Sequence, residues 1–407
     1  MKLKDIARYV TDKVSSDAIG LENYVTTDSI LQNKAGRVEA SNLPPTSCTL
    51  TRFQKGDILI ANIRPYLRKI WLADIDGGCN ADVLVFRAIN GYSSAFVYAV
   101  LMQDSFYIYA MKGAKGSKMP RGDKEQIMRF EVPSNLQDTD EIGYFIVAIK
   151  AKIDLLNQIN RNLEAIARQL YDYWFVQFDF PDDNGRPYKS SGGAMVWNDK
   201  LKREIPQGWH CGTLLDIAEY TNGLACQKFR PTGDNKLPVI KIKEMHDGLS
   251  DDTEWVKADI PDEVKVFDGD VLFSWSASLE VMLWAYGKGG LNQHIFKVTS
   301  KNSYPRSFYF YQLVNYIGAF KQMAEARKTT MGHITQDHLR QSTITLPQNM
   351  GVVHKLEEKL CPIFDAIVKN SQEIMDLTAQ RDELLPLLMN GQVSVRPTAV
   401  NCDLSHD

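Results

Sequence analysis

No run of roughly 18 apolar residues occurs anywhere in the chain, so it offers no helix able to cross a bilayer. Strong charge of one sign is also lacking, since 47 Lys+Arg stand against 50 Asp+Glu for a formal net charge of −3. That balance argues weakly against a protein coated in nucleic acid and leaves room for a local basic face. The six cysteines, Cys48, Cys79, Cys211, Cys226, Cys361 and Cys402, are widely spaced and form no C-x-x-C or Cys/His pattern. A zinc finger and a redox dithiol are thereby excluded, and reduced thiols are expected. Met1-Lys2-Leu3-Lys4-Asp5 puts charges where a signal peptide needs an apolar core, so the expected address is cytoplasmic.

Catalytic signatures are missing too. No G-x-x-x-x-G-K-[ST] loop is present, and Gly113 to Lys124 is rich in Gly and Lys at the wrong spacing. Asn42-Leu43-Pro44-Pro45-Thr46 has an intervening residue and no aromatic where a base methyltransferase needs an Asn/Asp-Pro-Pro-aromatic loop, and reads as a solvent turn. His333 and His338 lack the H-E-x-x-H arrangement, so no metal is expected. Asp262-Glu263-Val264-Lys265 reads as a surface run rather than a nuclease centre. The chain is therefore expected to carry no catalytic residue, cofactor or metal of its own. A stand-alone DNA methyltransferase or nuclease is the alternative, as is a coiled-coil scaffold without DNA recognition.

What the sequence does contain is a long repeat, within 407 residues that exceed one ordinary domain. Leu3-Lys4-Asp5-Ile6-Ala7 returns as Leu214-Leu215-Asp216-Ile217-Ala218. Phe53-Gln54-Lys55-Gly56-Asp57-Ile58-Leu59 returns as Phe267-Asp268-Gly269-Asp270-Val271-Leu272, a Gly-Asp turn launching a buried strand. Val132-Pro133 matches Leu346-Pro347. Each half closes on an a/d heptad seam. The first reads Ile146, Ile149, Ile153, Leu156, Asn160, Leu163, Ala167, Leu170 and Trp174; the second reads Leu360, Ile363, Ile367, Asn370, Ile374, Leu377, Arg381, Leu384 and Leu388. About 30 helical residues make a rod of roughly 45 Å. Asn160, Asn370 and Arg381 are expected to fix register, and Pro386 to kink or end the second rod.

The expected fold is α+β: two similar globular α/β domains separated by two long antiparallel coiled-coil helices, related as a pseudo-twofold internal repeat. The boundaries read 1–140 and 211–350 for the domains, 141–180 and 351–390 for the helices, 181–210 for the connector and 391–407 for the tail. The connector is rich in turn formers but flanked by Tyr171, Tyr173, Trp174, Phe175, Phe178, Trp197 and Trp209, more aromatics than a free tether needs. These flanks are expected to pin it to the rods or to a partner.

Residues 51 to 130 hold 12 Lys+Arg against 7 Asp+Glu, a basic region in a net acidic chain. Arg64, Tyr66, Arg68 and Lys69 follow the central strand of the first half. Lys112, Lys115, Lys118, Arg121 and Lys124 punctuate a loop with Gly113, Gly116 and Gly122. Glycines let backbone approach a phosphate, cations neutralise it, and Arg can fork onto a guanine edge. The second half carries Arg327, Lys328, His333, His338 and Arg340 in the corresponding loop. Either loop alone reads equally well as a solvated face. Divergent basic loops at equivalent places in a duplication point to DNA, read at two different sequences.

Leu170-Tyr171-Asp172-Tyr173-Trp174-Phe175-Val176-Gln177-Phe178-Asp179-Phe180-Pro181, Gly185-Arg186-Pro187-Tyr188-Lys189-Ser190-Ser191-Gly192-Gly193 and Ile205-Pro206-Gln207-Gly208-Trp209 together resemble the central conserved region of type I restriction-modification specificity (S) subunits. Leu377, Arg381-Asp382-Glu383-Leu384-Leu385-Pro386-Leu387-Leu388 and Asn390-Gly391 are similar to their C-terminal conserved region, and Ile60 through Trp71 to a strand and loop of their target recognition domains. No Ile-Pro-x-Gly-Trp lead precedes the first half as one precedes the second. The resemblance implies a non-catalytic DNA-recognition subunit that reads a bipartite, asymmetric double-stranded DNA site, with one recognition domain per half and the paired helices as a ruler for the gap. It implies two methylation (M) subunits carrying S-adenosylmethionine, and restriction (R) subunits using ATP and Mg. Ile153, Leu156, Leu163, Leu170, Trp174, Phe175, Ile367, Ile374, Leu377, Leu384 and Leu388 would form the helix seam or subunit-docking surfaces.

Overall fold

A computed structural model of the chain describes residues 1–134, 136–250, 252–276, 278–326 and 334–395. The chain divides into two compact units, Met1–Ile153 with Leu377–Asp407, and Asp154–Asp376.

In the first unit a sheet has the spatial order Ala7–Tyr9, Val83–Ala88, Ile58–Ala61, Ile70–Leu72, antiparallel throughout. In the second unit the order is Ala218–Asn222, Ile295–Ser300, Val271–Ser274, Glu280–Leu283, again all antiparallel. The strands launched by the two Gly-Asp turns are thus interior strands of their sheets, and all of their residues are buried. At each turn the aspartate closes the loop and holds a cation from the neighbouring strand. Asp57 accepts from Gln54 N at 2.9 Å and from Arg87 Nε and Nη2 at 2.7 Å. Asp270 accepts from Phe267 N at 2.8 Å and pairs with Lys297 Nζ at 2.8 Å.

A second sheet in each unit is built around a Gly-Gly strand. Gly77–Cys79 lies between antiparallel Thr49–Phe53 and parallel Tyr24–Val25, and Gly289–Leu291 between antiparallel Lys265–Val266 and parallel Lys236–Ile240. A Cβ on Gly77 would sit 2.1 Å from Asn23 O, so close strand approach requires glycine there, and one on Gly289 would press on Ile240 Cδ1 at 2.5 Å. The copies differ at the rim. The fourth strand, Lys13–Ser15, pairs with the antiparallel neighbour in the first unit, whereas Trp255–Lys257 pairs with the parallel neighbour in the second.

Each unit draws its own beginning back to the foot of a long helix. Lys2 bridges Glu131 and Met1 N donates to Val132 O at 3.0 Å, just ahead of the helix Thr139–Tyr171. His210–Gly212 pairs with Ile344–Leu346, just ahead of the helix Met350–Met389. Asp5 and Asp216 do the same local task, each accepting at 2.7 Å from the backbone N–H three residues earlier, Lys2 and Thr213.

The long helices pack together along the heptad seam. In the first unit Ile142 and Ile146 share a core with Leu385, Leu388 and Met389. In the second, Asn160 meets Ile367, Asn370 and Ser371, while Ala167 and Tyr171 share a core with Leu360 and Phe364, so the helices run antiparallel. Ile153, Leu156, Ile367 and Leu388 are buried, and Leu163, Leu170, Ile374, Leu377 and Leu384 are half-buried. Phe364 and Leu385 are more deeply buried than the neighbouring seam positions Ile363 and Leu384, a one-residue drift of the apolar stripe.

One expectation is corrected. Pro386 does not end the second helix, which continues to Met389. The proline sits in the last turn, where Asn390 N still bonds Pro386 O, so only the bond from residue 386 itself is lost. The connector itself is mostly exposed, and its aromatic flanks Tyr171, Trp174, Phe175 and Phe178 are packed in the second unit's core. Beyond Tyr171 the first helix widens into a π turn, Asp172–Val176, and Phe178 turns at φ 66°. Phe180 then stacks on Tyr188 and Trp209 at 4.8 and 5.1 Å, and Asp179 Oδ1 and Oδ2 accept from Ser190 N and Oγ at 2.7 and 2.6 Å. The hairpin Met195–Asn198/Arg203–Pro206 follows.

Candidate nucleic-acid interface

In the first unit the two basic segments, distant in sequence, form one surface. Beyond the buried strand Ile58–Ala61 the chain turns through Arg64 and Arg68, both left-handed at φ 52°, flanking the single turn Pro65–Leu67. Pro65 suits that turn because its φ is preset and its missing N–H would be unpaired there. Arg64 N donates to Pro120 O at 2.8 Å, Ile63 bridges Arg121, and Arg121 in turn bridges Lys115. The Arg64–Lys69 turn and the Lys112–Lys124 loop are thereby stitched side by side.

The basic side chains are not equivalent. Tyr66 and Arg68 are exposed, and Arg68 Nη1 lies 3.3 Å from Asp104 Oδ2. Lys69 turns inward, its Nζ donating to Thr27 O at 2.6 Å, and burial lowers its pKa from the ordinary lysine value. Lys112, Lys118 and Lys124 are exposed. Lys115 pairs with Asp123 at 3.2 Å. Hydrogen bonds from Gln126 N and from Lys115 hold that carboxyl below the ordinary aspartate value. Arg121 pairs with Asp82, Nε to Oδ1, at 3.1 Å. The pairing of Asp82, Asp104 and Asp123 with these cations was invisible to the charge reading, because it depends on how the chain folds back on itself. Opposite charge beside the predicted cations is the signal they left.

In the second unit the corresponding picture is narrower. Arg340 is exposed and pairs with Asp337 at 3.0 Å. His338 is only 2% exposed and its Nδ1 accepts from Thr335 N at 3.0 Å, so it caps the helix Gln336–Gln341 from within. Arg327, Lys328 and His333 lie outside the described residues. Sequence reasoning missed Trp275, Gln293 and His294, which come together beyond the strand Val271–Ser274. The Trp275 and His294 rings are 5.6 Å apart, Gln293 Nε2 is 3.3 Å from His294 Nε2, and Trp275 Nε1 donates to Asn222 Oδ1 at 3.1 Å. Their signal was available in the repeat, since Trp275 and His294 stand where the first half carries Asn62 and Asp82, and Gln293 where it carries Ala81.

Trp174 and Phe175, expected as seam or docking residues, are buried in the second unit's own core beside Phe308 and Leu360, so neither offers a free surface. Among the described residues no group of three or more His, Cys, Asp or Glu is arranged to hold a metal ion, and no helix is long and apolar enough to cross a membrane.

Residues 206–356 match the family model described as type I restriction modification DNA specificity domain. The chain is 23% identical over 363 residues to the type I restriction enzyme MjaIX specificity subunit of Methanocaldococcus jannaschii, covering 86% of this chain and 80% of that one. It is 22% identical over 455 residues to the type I restriction enzyme HindI specificity subunit of Haemophilus influenzae, covering 96% and 98%. Its fold is similar to that of the crystal structure of a type I restriction-modification system S subunit from M. genitalium, with a TM-score of 0.59, 13% identity and 95% of each chain covered.

Proposed function

We propose that this chain, which belongs to the DNA specificity subunits of type I restriction-modification systems and is the non-catalytic part of such an enzyme, reads a bipartite, asymmetric site with one domain per half. Residues 1–140 serve one half-site and 211–350 the other. The helices 141–180 and 351–390 set the unread gap, with 181–210 as connector and 391–407 as tail. The observation that carries this reading is the duplicated sheet of identical strand order, whose interior strand leads in each copy to a loop of different chemistry. A common scaffold with divergent loops is what two different base sequences require.

Arg64, Tyr66, Arg68, Lys112, Lys115, Lys118, Arg121 and Lys124 contact DNA in the first half, and Arg327, Lys328, His333 and Arg340 in the second. The chemistry belongs to partners acting in the cytoplasm: two M subunits with S-adenosylmethionine, and R subunits with ATP and Mg. Exchanging residues 1–140 for another recognition domain tests the reading. Methylation mapped on genomic DNA will change in one half of the motif and keep the other. A motif changed in both halves, or in neither, defeats it.

A further inference from the structure

One backbone frame is built twice. In the first unit Ala61 pairs with Val83; the next residue, Asn62, donates its N–H to Asp82 O at 2.8 Å, and its carbonyl accepts from Gly122 N at 3.3 Å. In the second unit Ser274 pairs with Ile295; the next residue, Trp275, donates to His294 O at 3.3 Å, and its carbonyl accepts from Ile334 N at 3.0 Å. Asn62 thus stands where Trp275 stands, Asp82 where His294 stands, and Gly122 where Ile334 stands. Three chain segments converge at this point in each unit, at the end of the strand that carries the loop.

The side chains on this frame have nothing in common. In the first unit the Asp82 carboxylate holds the Arg121 guanidinium through Nε at 3.1 Å and Nη2 at 3.4 Å, and Arg121 remains 54% exposed. In the second, the amide of Gln293 lies against Nε2 of His294, and the Trp275 ring flanks the imidazole. Stability does not explain the divergence. An exposed ion pair contributes little to folding, and an identical frame would be served by identical residues. Recognition does explain it. A guanidinium fixed by a carboxylate presents its remaining donors in a set plane, which matches the O6 and N7 acceptors of guanine. A primary amide matches the N6 donor and N7 acceptor of adenine, and one amide hydrogen directed at His294 leaves the other hydrogen and the oxygen available.

We propose that this frame is the base-reading position of each unit. Arg121, positioned by Asp82, reads a guanine in one half-site, and Gln293, positioned by His294, reads an adenine in the other. The inference rests on the two-half-site reading above and assigns its specificity to particular atoms.

The test uses the complete methyltransferase, this chain assembled with its M subunits, and maps methylated sites on genomic DNA by sequencing. Arg121→Ala relaxes one G·C position in one half, with preference over the other base pairs falling roughly tenfold or more. Gln293→Ala relaxes one A·T position in the other half. Asp82→Asn and His294→Ala weaken the same respective positions and leave the opposite half-site unchanged. If an alanine variant loses all methylation, Arg121→Lys or Gln293→Asn is mapped in its place, and the same comparison decides. An unchanged motif, or a loss spread evenly over both halves, overturns the inference. A wild-type enzyme that methylates no two-part motif defeats the underlying reading instead, so the two failures are distinguishable.

Discussion

Lys34 Nζ lies 3.1 Å from Asp382 Oδ1 and 2.9 Å from Asp104 Oδ1, and only 3% of the lysine side chain is exposed. The backbone of the same residue donates to Arg68 O at 2.9 Å, so one residue joins the end of the second long helix to the Arg64–Lys69 turn.

Lys34→Ala therefore removes the cation that both carboxylates share. Breaking a fully buried pair costs about 3–5 kcal/mol; because Asp104 and Asp382 are half-exposed and can be rehydrated, the expected loss here is about 1–3 kcal/mol, read from urea unfolding. Burial alone would raise the Asp382 carboxyl, but the hydrogen bond and charge of Arg381, together with Lys34, outweigh it and hold the group below the ordinary aspartate value. A depressed folded pKa stabilises above the unfolded value and loses that contribution as pH falls through the folded one. The difference between wild type and Asp382→Asn should be full at pH 7 and shrink below about pH 4.

The two Gly-Asp turns predict unequal losses from the same substitution. Asp57 is 1% exposed and takes both bonds of the Arg87 fork, leaving that guanidinium only the longer pair with Asp12 at 3.5 Å, so Asp57→Asn is expected to cost about 2–3 kcal/mol. Lys297 has other partners, donating to Lys265 O at 2.9 Å and lying 5.5 Å from the Phe267 ring. Asp270→Asn should cost about 1–2 kcal/mol. Hydrogen exchange in the strands Val83–Ala88 and Ile295–Ser300 separates the two effects.

Those turns also show what is legible in the sequence. Gly56-Asp57 and Gly269-Asp270 could be read because turn chemistry and the following apolar run are local. The seam was legible for the same reason, since a helix projects its sequence onto one face. The Gly-Gly strands, the fourth-strand difference and the Asp82–Arg121 pair were not, because each depends on which distant segments become neighbours. The basic loops were found as a composition; that Lys69 bonds Thr27 O and that His338 caps a buried turn are facts of backbone path. Pro386 does not stop the helix at once because its ring and missing N–H disturb the turn before it, while Leu387, Leu388 and Met389 keep their own N–H groups and carry the helix three residues further.

Asn160 and Asn370 test the seam as a specificity device within the second unit. Asn370 Nδ2 donates to Asn160 Oδ1 at 2.8 Å, and Asn160 Nδ2 reaches Ser371 Oγ at 3.1 Å. Asn160→Leu alone leaves the Asn370 amide without this acceptor and should cost about 1–2 kcal/mol. The double substitution with Asn370→Leu should regain most of that loss and give a coupling of about 1 kcal/mol in a double-mutant cycle. Additive losses would show that the pair contributes no joint term.

Cations that neutralise phosphates differ from those that only look available. Lys118 is exposed in the loop that the Ile63–Arg121 bridge fixes beside the Arg64–Lys69 turn, whereas the Lys69 ammonium is held by a backbone carbonyl. For the assembled methyltransferase, Lys118→Ala should weaken binding equally for cognate and unrelated duplexes, and lower the magnitude of the slope of log K against log salt by about 0.9, one released counterion. Lys69→Ala should leave the slope unchanged, because its charge already faces the protein. Fluorescence anisotropy from about 50 to 200 mM salt measures both. An equal change in slope for the two variants would mean that the Lys69 side chain swings outward on DNA, and a change confined to the cognate duplex would make Lys118 a base reader rather than a phosphate contact.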